Sequence, residues 1–328
     1  MKRWLLLLLL APVVLWSIYW TFVALSMRQG LDAALSGDDM TGLSGQVQES
    51  RVSGFPSQFR FDLVDLELHQ AGGISAAIPG LQLAAPAYTP HLINLELDSP
   101  QSVTTRFGQT VIDADLFRVG IFMRPKISVP LDRIVLRLEA AHVTDASQET
   151  GLGIDHLTLG FFETEQSQSG ETEGLYRLNI EGRGINLSDY LLDFPEEYRR
   201  ISNINADIGL IYSRLWDRSV FNTGAPVLSN VIIPESRLTF GPSEISLQGQ
   251  LSVGPQSVLN GDVMLEIDAW RGLLAALTQA GILDPDIEAI ILQLMDGQDD
   301  EDAISLPLTI ENNLVTFGVF TLGFLPVP

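Results

Sequence analysis

Apolar and polar residues alternate along most of the chain after residue 45, and this period of two constrains the fold more than any other sequence feature. Segments with the pattern occupy residues 93–97, 134–140, 157–161, 176–180, 204–212, 245–247, 251–253, 263–267 and 304–310. Glycine, proline and asparagine separate the segments, as expected for turns. The strands number on the order of a dozen, which predicts a mainly β protein built from antiparallel sheet.

The stretch RVSGFPSQFRFDLVDLELH, residues 51–69, contains a long strand of this kind. Gly54 and Pro56 are expected to form a turn that leads into the strand. The apolar face of the strand then comprises Phe59, Phe61 and Leu63, followed by Leu66 and Leu68 after the alternation slips at Val64. A slip of one residue predicts a β-bulge at that point.

A sheet of this size has one apolar face that must be covered, and few helices are predicted after residue 45. We therefore expect an elongated, curved antiparallel sheet that forms either a trough or a two-sheet sandwich. In a trough the face is a groove for acyl chains, where each buried methylene contributes about 0.8 kcal/mol. In a sandwich the face is a filled core. The candidate groove residues are Phe55, Phe59, Phe61, Leu63, Leu66 and Leu68.

The N-terminus predicts a membrane segment. A basic pair at residues 2–3 precedes an apolar run at residues 4–27, which is long enough to cross a bilayer as a helix. The basic pair favours a cytoplasmic N-terminus, and aromatic residues near the other end suit the far interface; these are Trp16, Tyr19 and Trp20. A cleavable signal peptide is the alternative, because residues 24–26 resemble a cleavage site. In both cases the remainder of the chain is exported.

Three segments are therefore predicted. Residues 1–27 form the transmembrane anchor or uncleaved signal, residues 28–44 a short helical linker, and residues 45–328 a β-rich domain outside the cytoplasm. Within this domain, residues 269–295 are expected to form a helical hairpin, because Gly281 ends one helical pattern and Asp284 begins the next. The hairpin either plugs one end of the sheet or acts as a gate or membrane-touching element.

The charge and the residue types exclude several classes of function. Residues 27–328 carry 17 basic and 41 acidic residues, so we expect no nucleic-acid partner. Cysteine is absent, and the four histidines are scattered. No phosphate-binding, dinucleotide-binding or nucleophile motif occurs, and the acidic run at 296–302 lacks the spacing of a calcium loop. We expect no catalytic residues, no metal site and no cofactor, and therefore not an enzyme.

The order of several motifs resembles a bacterial envelope family, domain of unknown function 2125. The matching features are Tyr19-Trp20, the run from Arg51 to Pro56, the segments Gly249 to Val253 and Gly261 to Ile267, the end of the helix at Ala280-Gly281, and the segments Ile304 to Leu308 and Asn312 to Gly318. Ser57 and Gln58 depart from the pattern, since an aromatic residue is expected directly after the proline. This family in turn resembles the AsmA-like group of anchored periplasmic β-rich proteins, which are implicated in lipid movement and outer-membrane assembly.

The resemblance implies a single-pass protein of the bacterial inner membrane, held through residues 4–27, with its bulk in the periplasm. Two functions remain open. The first is a protein that binds or helps to move lipids in envelope biogenesis, with phospholipid acyl chains in the groove. The second is a non-catalytic scaffold for outer-membrane assembly that binds other envelope proteins and has a filled core without a ligand.

Overall fold

The computed structural model of the chain describes residues 2–37, 43–70, 73–106, 108–147, 150–165, 174–295, 302–318 and 320–325. Residues 296–301, which hold most of the predicted acidic run, lie outside this part. The helices are α1 (Lys2–Leu35), α2 (Val220–Thr223), α3 (Trp270–Gln279) and α4 (Pro285–Met295). The first eight strands are β1 (Leu43–Ser53), β2 (Gln58–Gln70), β3 (Ile74–Pro86), β4 (Leu92–Leu97), β5 (Gln101–Thr105), β6 (Gly108–Met123), β7 (Leu131–Asp145) and β8 (Thr150–Glu163). The others are β9 (Leu175–Asn186), β10 (Arg200–Tyr212), β11 (Leu228–Phe240), β12 (Ser243–Val253), β13 (Leu259–Asp268), β14 (Ala303–Glu311), β15 (Leu314–Phe317) and β16 (Phe320–Phe324).

All sixteen strands of the described residues belong to one antiparallel sheet. Each strand pairs with the next along the chain, except that β4 and β5 each pair with both β3 and β6 and so share one position in the sheet. The prediction of a mainly β, antiparallel protein is confirmed. The reason is local: alternating segments joined by short turns pair most readily with their sequence neighbours.

The sheet is a single layer within the described residues. Its strands make their main contacts with ladder neighbours, and the main contacts of the helices are between α1 and β1, α3 and β12, and α3 and α4. The described strands therefore do not split into the two facing sheets of a sandwich.

Helix α1 is continuous from Lys2 to Leu35, so the predicted anchor and much of the predicted linker form one helix. Near its C-terminal end, Ser36 forms a backbone bridge with Ser44 of β1. The C-terminal end of α1 therefore lies beside the start of β1.

A line of interrupted pairs crosses the first half of the sheet. On β2, β7 and β9 this line holds Asp65, Ala140 and Gly184, whose φ angles are 51°, 47° and 62°. None of these three residues is paired with a residue of a neighbouring strand. The residues before and after each of them are paired, and the strand register does not shift between them. We call this line the crease.

The crease explains the slip in the alternation, but not as a bulge. Val64 and Leu66 pair with β1 residues that are themselves two positions apart, so β2 contains no inserted residue. Instead, the left-handed backbone at Asp65 reverses the alternation, so that each following side chain points to the face opposite to the one that strict alternation predicts. As a result Leu63 and Leu66 are both buried, while Val64 between them is 41% exposed.

Candidate functional site

A continuous row of side chains crosses one face of the sheet, perpendicular to the strands. Each member is the registered partner of the next: Val52, Phe61, Leu83, Leu95, Val119, Leu136, Leu159, Ile180, Ala206, Ser236, Leu247, Leu265 and Leu306. Twelve of these thirteen residues are apolar. Because neighbouring strands lie about 4.8 Å apart, the row is about 60 Å long. We call it the apolar row.

The row one residue away is polar throughout. Its members are Arg51, Asp62, Gln82, Glu96, Arg118, Arg137, Thr158, Glu181, Asn205, Arg237, Ser246, Glu266 and Ser305. Successive side chains of a strand point to opposite faces. At these two rows the sheet therefore has an apolar side and a polar side across thirteen strands.

The apolar row is only half-buried along most of its length. In the apolar row Phe61 and Ala206 are buried, and the other eleven side chains have intermediate exposure. A close-packed core would bury nearly all of them. The face therefore still has apolar area that a further partner could remove from water, at roughly 25 cal/mol per Å².

Three elements of the chain lie against parts of this face. Helix α1 packs on β1–β3, where Trp20 and Ala24 contact Phe59 and Phe61. A connection at residues 213–227 lies beside β8–β10, and α3 packs against β13 and β14 through Trp270 and Leu274. Between α1 and the connection, the apolar residues of β4–β7 carry no covering helix within the described part of the chain.

The structure brings the predicted groove residues together, at the end of the face that α1 covers. Phe59, Phe61 and Leu63 are 0%, 2% and 2% exposed, and Leu66 is also buried. Leu68 is half-buried beyond the crease. Phe55 lies in the turn before β2, is 53% exposed, and meets Trp20 edge to face.

Three aromatic side chains of α1 hold the helix on the sheet. Trp16 Nε1 donates to the carbonyl of Pro56 at 2.9 Å, Trp20 Nε1 donates to the carbonyl of Gln58 at 3.1 Å, and Tyr19 donates from its hydroxyl to the carbonyl of Ala87 at 3.0 Å. The position of these residues at a membrane interface stays a prediction. In the structure their polar atoms contact the turns of the sheet.

The connection at residues 213–227 is held by Tyr176 on the apolar face. The Tyr176 ring stacks on Phe161 with centroids 4.8 Å apart, and its hydroxyl accepts a hydrogen bond from the Trp216 backbone N–H at 3.0 Å. The Trp216 carbonyl accepts in turn from the Leu131 N–H at 2.7 Å. Burial disfavours the phenolate and raises the pKa of Tyr176 to about 12.

Ionisation of Tyr176 is expected to destabilise the folded state between pH 10 and pH 12. Because the folded-state pKa is raised above the ordinary value of 10, the contribution of the neutral phenol is complete below pH 10 and is lost as the pH rises through about 12. Tyr176→Phe should cost about 1 kcal/mol at pH 7, since the Trp216 N–H loses its acceptor. Urea denaturation of both proteins at pH 7 and pH 11.5 should show the difference shrinking. A parallel decline of both proteins would contradict the assignment.

A buried ion pair lies near the same turns. Arg124, directly after β6, contacts Glu163, the last residue of β8, at 2.5 Å. The Glu163 side chain is fully buried and that of Arg124 is 17% exposed. The pair joins two strands that are separated by β7.

A cleft of about 740 Å³ is a separate feature from the apolar row. It lies where β1–β3 meet β5 and β6, beside the crease, and is lined in part by Gln46, Asp65, Glu67 and Gln101. Its lining mixes polar and apolar groups and does not extend along the strands of the row.

The residues that sequence reasoning missed are the half-exposed members of the apolar row on β4–β9. Their alternation was visible, but the identity of their neighbours depends on strand register. Trp216 and Tyr176 were missed as partners because they are 40 residues apart in the sequence.

The match to a family model covers almost the entire chain. Residues 20–326 match the family described as an uncharacterized protein conserved in bacteria, DUF2125. The chain belongs to this family. No curated protein and no solved structure matches the chain. The DUF2125 match begins at Trp20, one of the three residues that fix α1 to the sheet, and extends through β16.

Proposed function

We propose that the protein is a non-catalytic, membrane-anchored protein whose sheet curves into a trough and holds the acyl chains of lipids. In this proposal it binds or helps to move phospholipids during envelope biogenesis. The observation that carries the proposal is the apolar row, which crosses thirteen strands, lies beside a wholly polar row, and is only half-buried. An acyl chain is the simplest ligand for a long, narrow surface of this kind, because it adds apolar contact at every methylene.

The proposed location of the protein in the cell rests on the length and apolar character of α1. Within the described residues, α1 is the one helix that is long and apolar enough to cross a membrane. We propose that it is an uncleaved, single-pass anchor in the bacterial inner membrane, with its N-terminus in the cytoplasm and the sheet in the periplasm. Its aromatic contacts with the sheet support an uncleaved helix, since cleavage near residue 26 would remove the partners of Pro56, Gln58 and Ala87.

We also propose that the family is related to the AsmA-like group. The order of motifs along the chain resembles the AsmA-like group, whose anchored periplasmic proteins are implicated in lipid movement. A single antiparallel layer with one apolar face fits that resemblance. The alternative is a scaffold for envelope proteins that uses its polar face and sheet edges for binding and has no lipid ligand.

A photoreactive amino acid placed along the sheet separates these alternatives. Benzoylphenylalanine is introduced into the full chain in bacterial cells at Val119 or Leu136 of the apolar row. The proposal predicts phospholipid adducts at both positions after irradiation, detected by mass spectrometry of the purified protein, because both side chains border the uncovered part of the face.

The matched controls are Arg118 and Arg137, the adjacent residues of the polar row. Lipid adducts at these positions should be at least several-fold less abundant. Equal labelling on both faces would indicate random contact with lipid. Exclusively protein adducts at Val119 and Leu136 would favour the scaffold.

A further inference from the structure

One edge of the sheet carries the turns that precede β2, β4 and β7, at residues 54–57, 87–91 and 124–130. Because alternate turns of an antiparallel sheet lie at the same edge, these three turns lie at one edge. Trp16 contacts the first of them and Tyr19 contacts the second. We call this the anchor edge.

The length of α1 limits how far this edge can stand from the bilayer. Among the described side chains of α1, Trp16 is the first that donates a hydrogen bond to the sheet, and the fourteen helical residues before it, 2–15, extend only about 21 Å. The hydrocarbon core is about 30 Å thick. A helix that spans it therefore needs residues that lie alongside the sheet.

The outward side of α1 supplies those residues. Beyond Trp16 the helix still exposes Ile18, Phe22 and Leu25, at 61%, 68% and 55%. Exposed polar residues follow from Ser26 onward. Residues 2–25 extend about 36 Å, and about 15 Å of this length runs alongside the sheet.

The turns of the anchor edge suit an apolar environment. Ile127 and Tyr88 are 86% and 76% exposed at their tips. In the first turn, the indole groups of α1 donate to the Pro56 and Gln58 carbonyls, and the Ser57 and Gln58 N–H groups donate to the Gly54 carbonyl. Backbone groups must be paired in this way to enter lipid.

The distribution of charged residues also favours contact between the anchor edge and a membrane. At the anchor edge Lys126 and Arg218 are exposed, and the Arg218 backbone contacts Ser128 of the third turn. The opposite edge carries a cluster of exposed acidic residues in the segment after β9: Asp189, Asp193, Glu196 and Glu197. Basic groups near a membrane surface interact favourably with lipid phosphates. The turn after β8 carries the exposed Glu165, so only the three turns from β1 to β7 are assigned to the membrane.

We propose that the turns at residues 54–57, 87–91 and 124–130 are immersed in the non-cytoplasmic leaflet of the bilayer that α1 spans. This inference rests on the proposed anchoring of α1 and goes beyond it, because it assigns a lipid-contacting surface to the sheet itself. The uncovered apolar face of β4–β7 then begins at the acyl region of the leaflet. An acyl chain could enter the face there without crossing water.

Site-specific labelling tests this arrangement directly, since the chain contains no cysteine. Ile127→Cys and Leu192→Cys each provide one labelling site, at opposite edges, for an environment-sensitive fluorophore. Leu192 is 67% exposed, so both labels face outward in the protein itself. The labelled full chain is placed in vesicles of three parts phosphatidylethanolamine to one part phosphatidylglycerol. Quenching is measured with iodide in the water and with nitroxide-bearing lipids in the bilayer.

The label at residue 127 should be protected from iodide several-fold relative to residue 192 and quenched by the nitroxide lipids. A third label, at Leu15→Cys, reports insertion of α1. If residue 15 is protected while residue 127 is as open to iodide as residue 192, the helix is anchored and immersion of the edge is wrong. If residue 15 is also open to iodide, the anchoring is wrong and the immersion fails with it.

Discussion

Replacing Arg124 by methionine is expected to lower the free energy of unfolding by about 3 to 5 kcal/mol, because it leaves a charge buried without its ion-pair partner. The carboxylate of Glu163 is fully buried, and the Arg124 guanidinium lies against it. Methionine preserves much of the volume of arginine but cannot compensate the negative charge. Urea denaturation of the full chain in mild detergent, followed by circular dichroism, measures the effect.

The control for this variant is Arg51→Met. Arg51 forms an ion pair with Glu49, but their side chains are 72% and 60% exposed. Exposed pairs contribute up to about 1 kcal/mol, so this substitution should change the stability little. If Arg124→Met is as mild as Arg51→Met, the pair at the end of β6 and β8 does not stabilise the sheet in the way the burial indicates.

Phe59→Ala is expected to destabilise the protein by about 3 to 5 kcal/mol, the usual cost of emptying a buried aromatic site. Phe59 is fully buried, stacks on Trp20 at 5.4 Å, and belongs to the cluster that joins α1 to the sheet. The same denaturation measurement applies. Separation of α1 should also increase proteolysis between the helix and β1.

Phe55→Ala serves as the matched control, four residues away. Phe55 is 53% exposed and touches the same Trp20 ring at its edge. We expect a loss below about 1 kcal/mol, because little area leaves a packed environment. Equal effects at the two positions would mean that α1 does not cover this end of the sheet in solution.

These two phenylalanines show why burial matters for the candidate groove. Sequence periodicity does not distinguish Phe59, Phe61 and Leu63 from Leu95 or Val119 as groove residues. All five alternate with polar or small residues. In the structure the first group lies beneath or beside α1, and the second lies on the uncovered part of the face. The positions best suited to detect a lipid are therefore on β4–β7 rather than on β2.

The strand content and the apolar identity of each strand face could be predicted because side chains alternate locally, within single segments. The helical patterns at 269–295 were also visible in the sequence, and the structure has α3 and α4 there. The change of phase at Val64 was recognised, but its cause was not, because a bulge and a left-handed residue produce the same slip. Only the register with β1 and β3 distinguishes them.

The sequence by itself determined a mainly antiparallel β protein with an apolar N-terminal helix, since both depend on short-range periodicity and hydropathy. The tertiary structure decided that the strands form one layer, that the apolar residues join into a single row, and that α1 folds back onto β1–β3. It also decided that Arg124 meets Glu163 and that Tyr176 meets Trp216. These features depend on pairings between residues far apart in the chain, and a local pattern cannot specify which of many compatible strands and turns will meet.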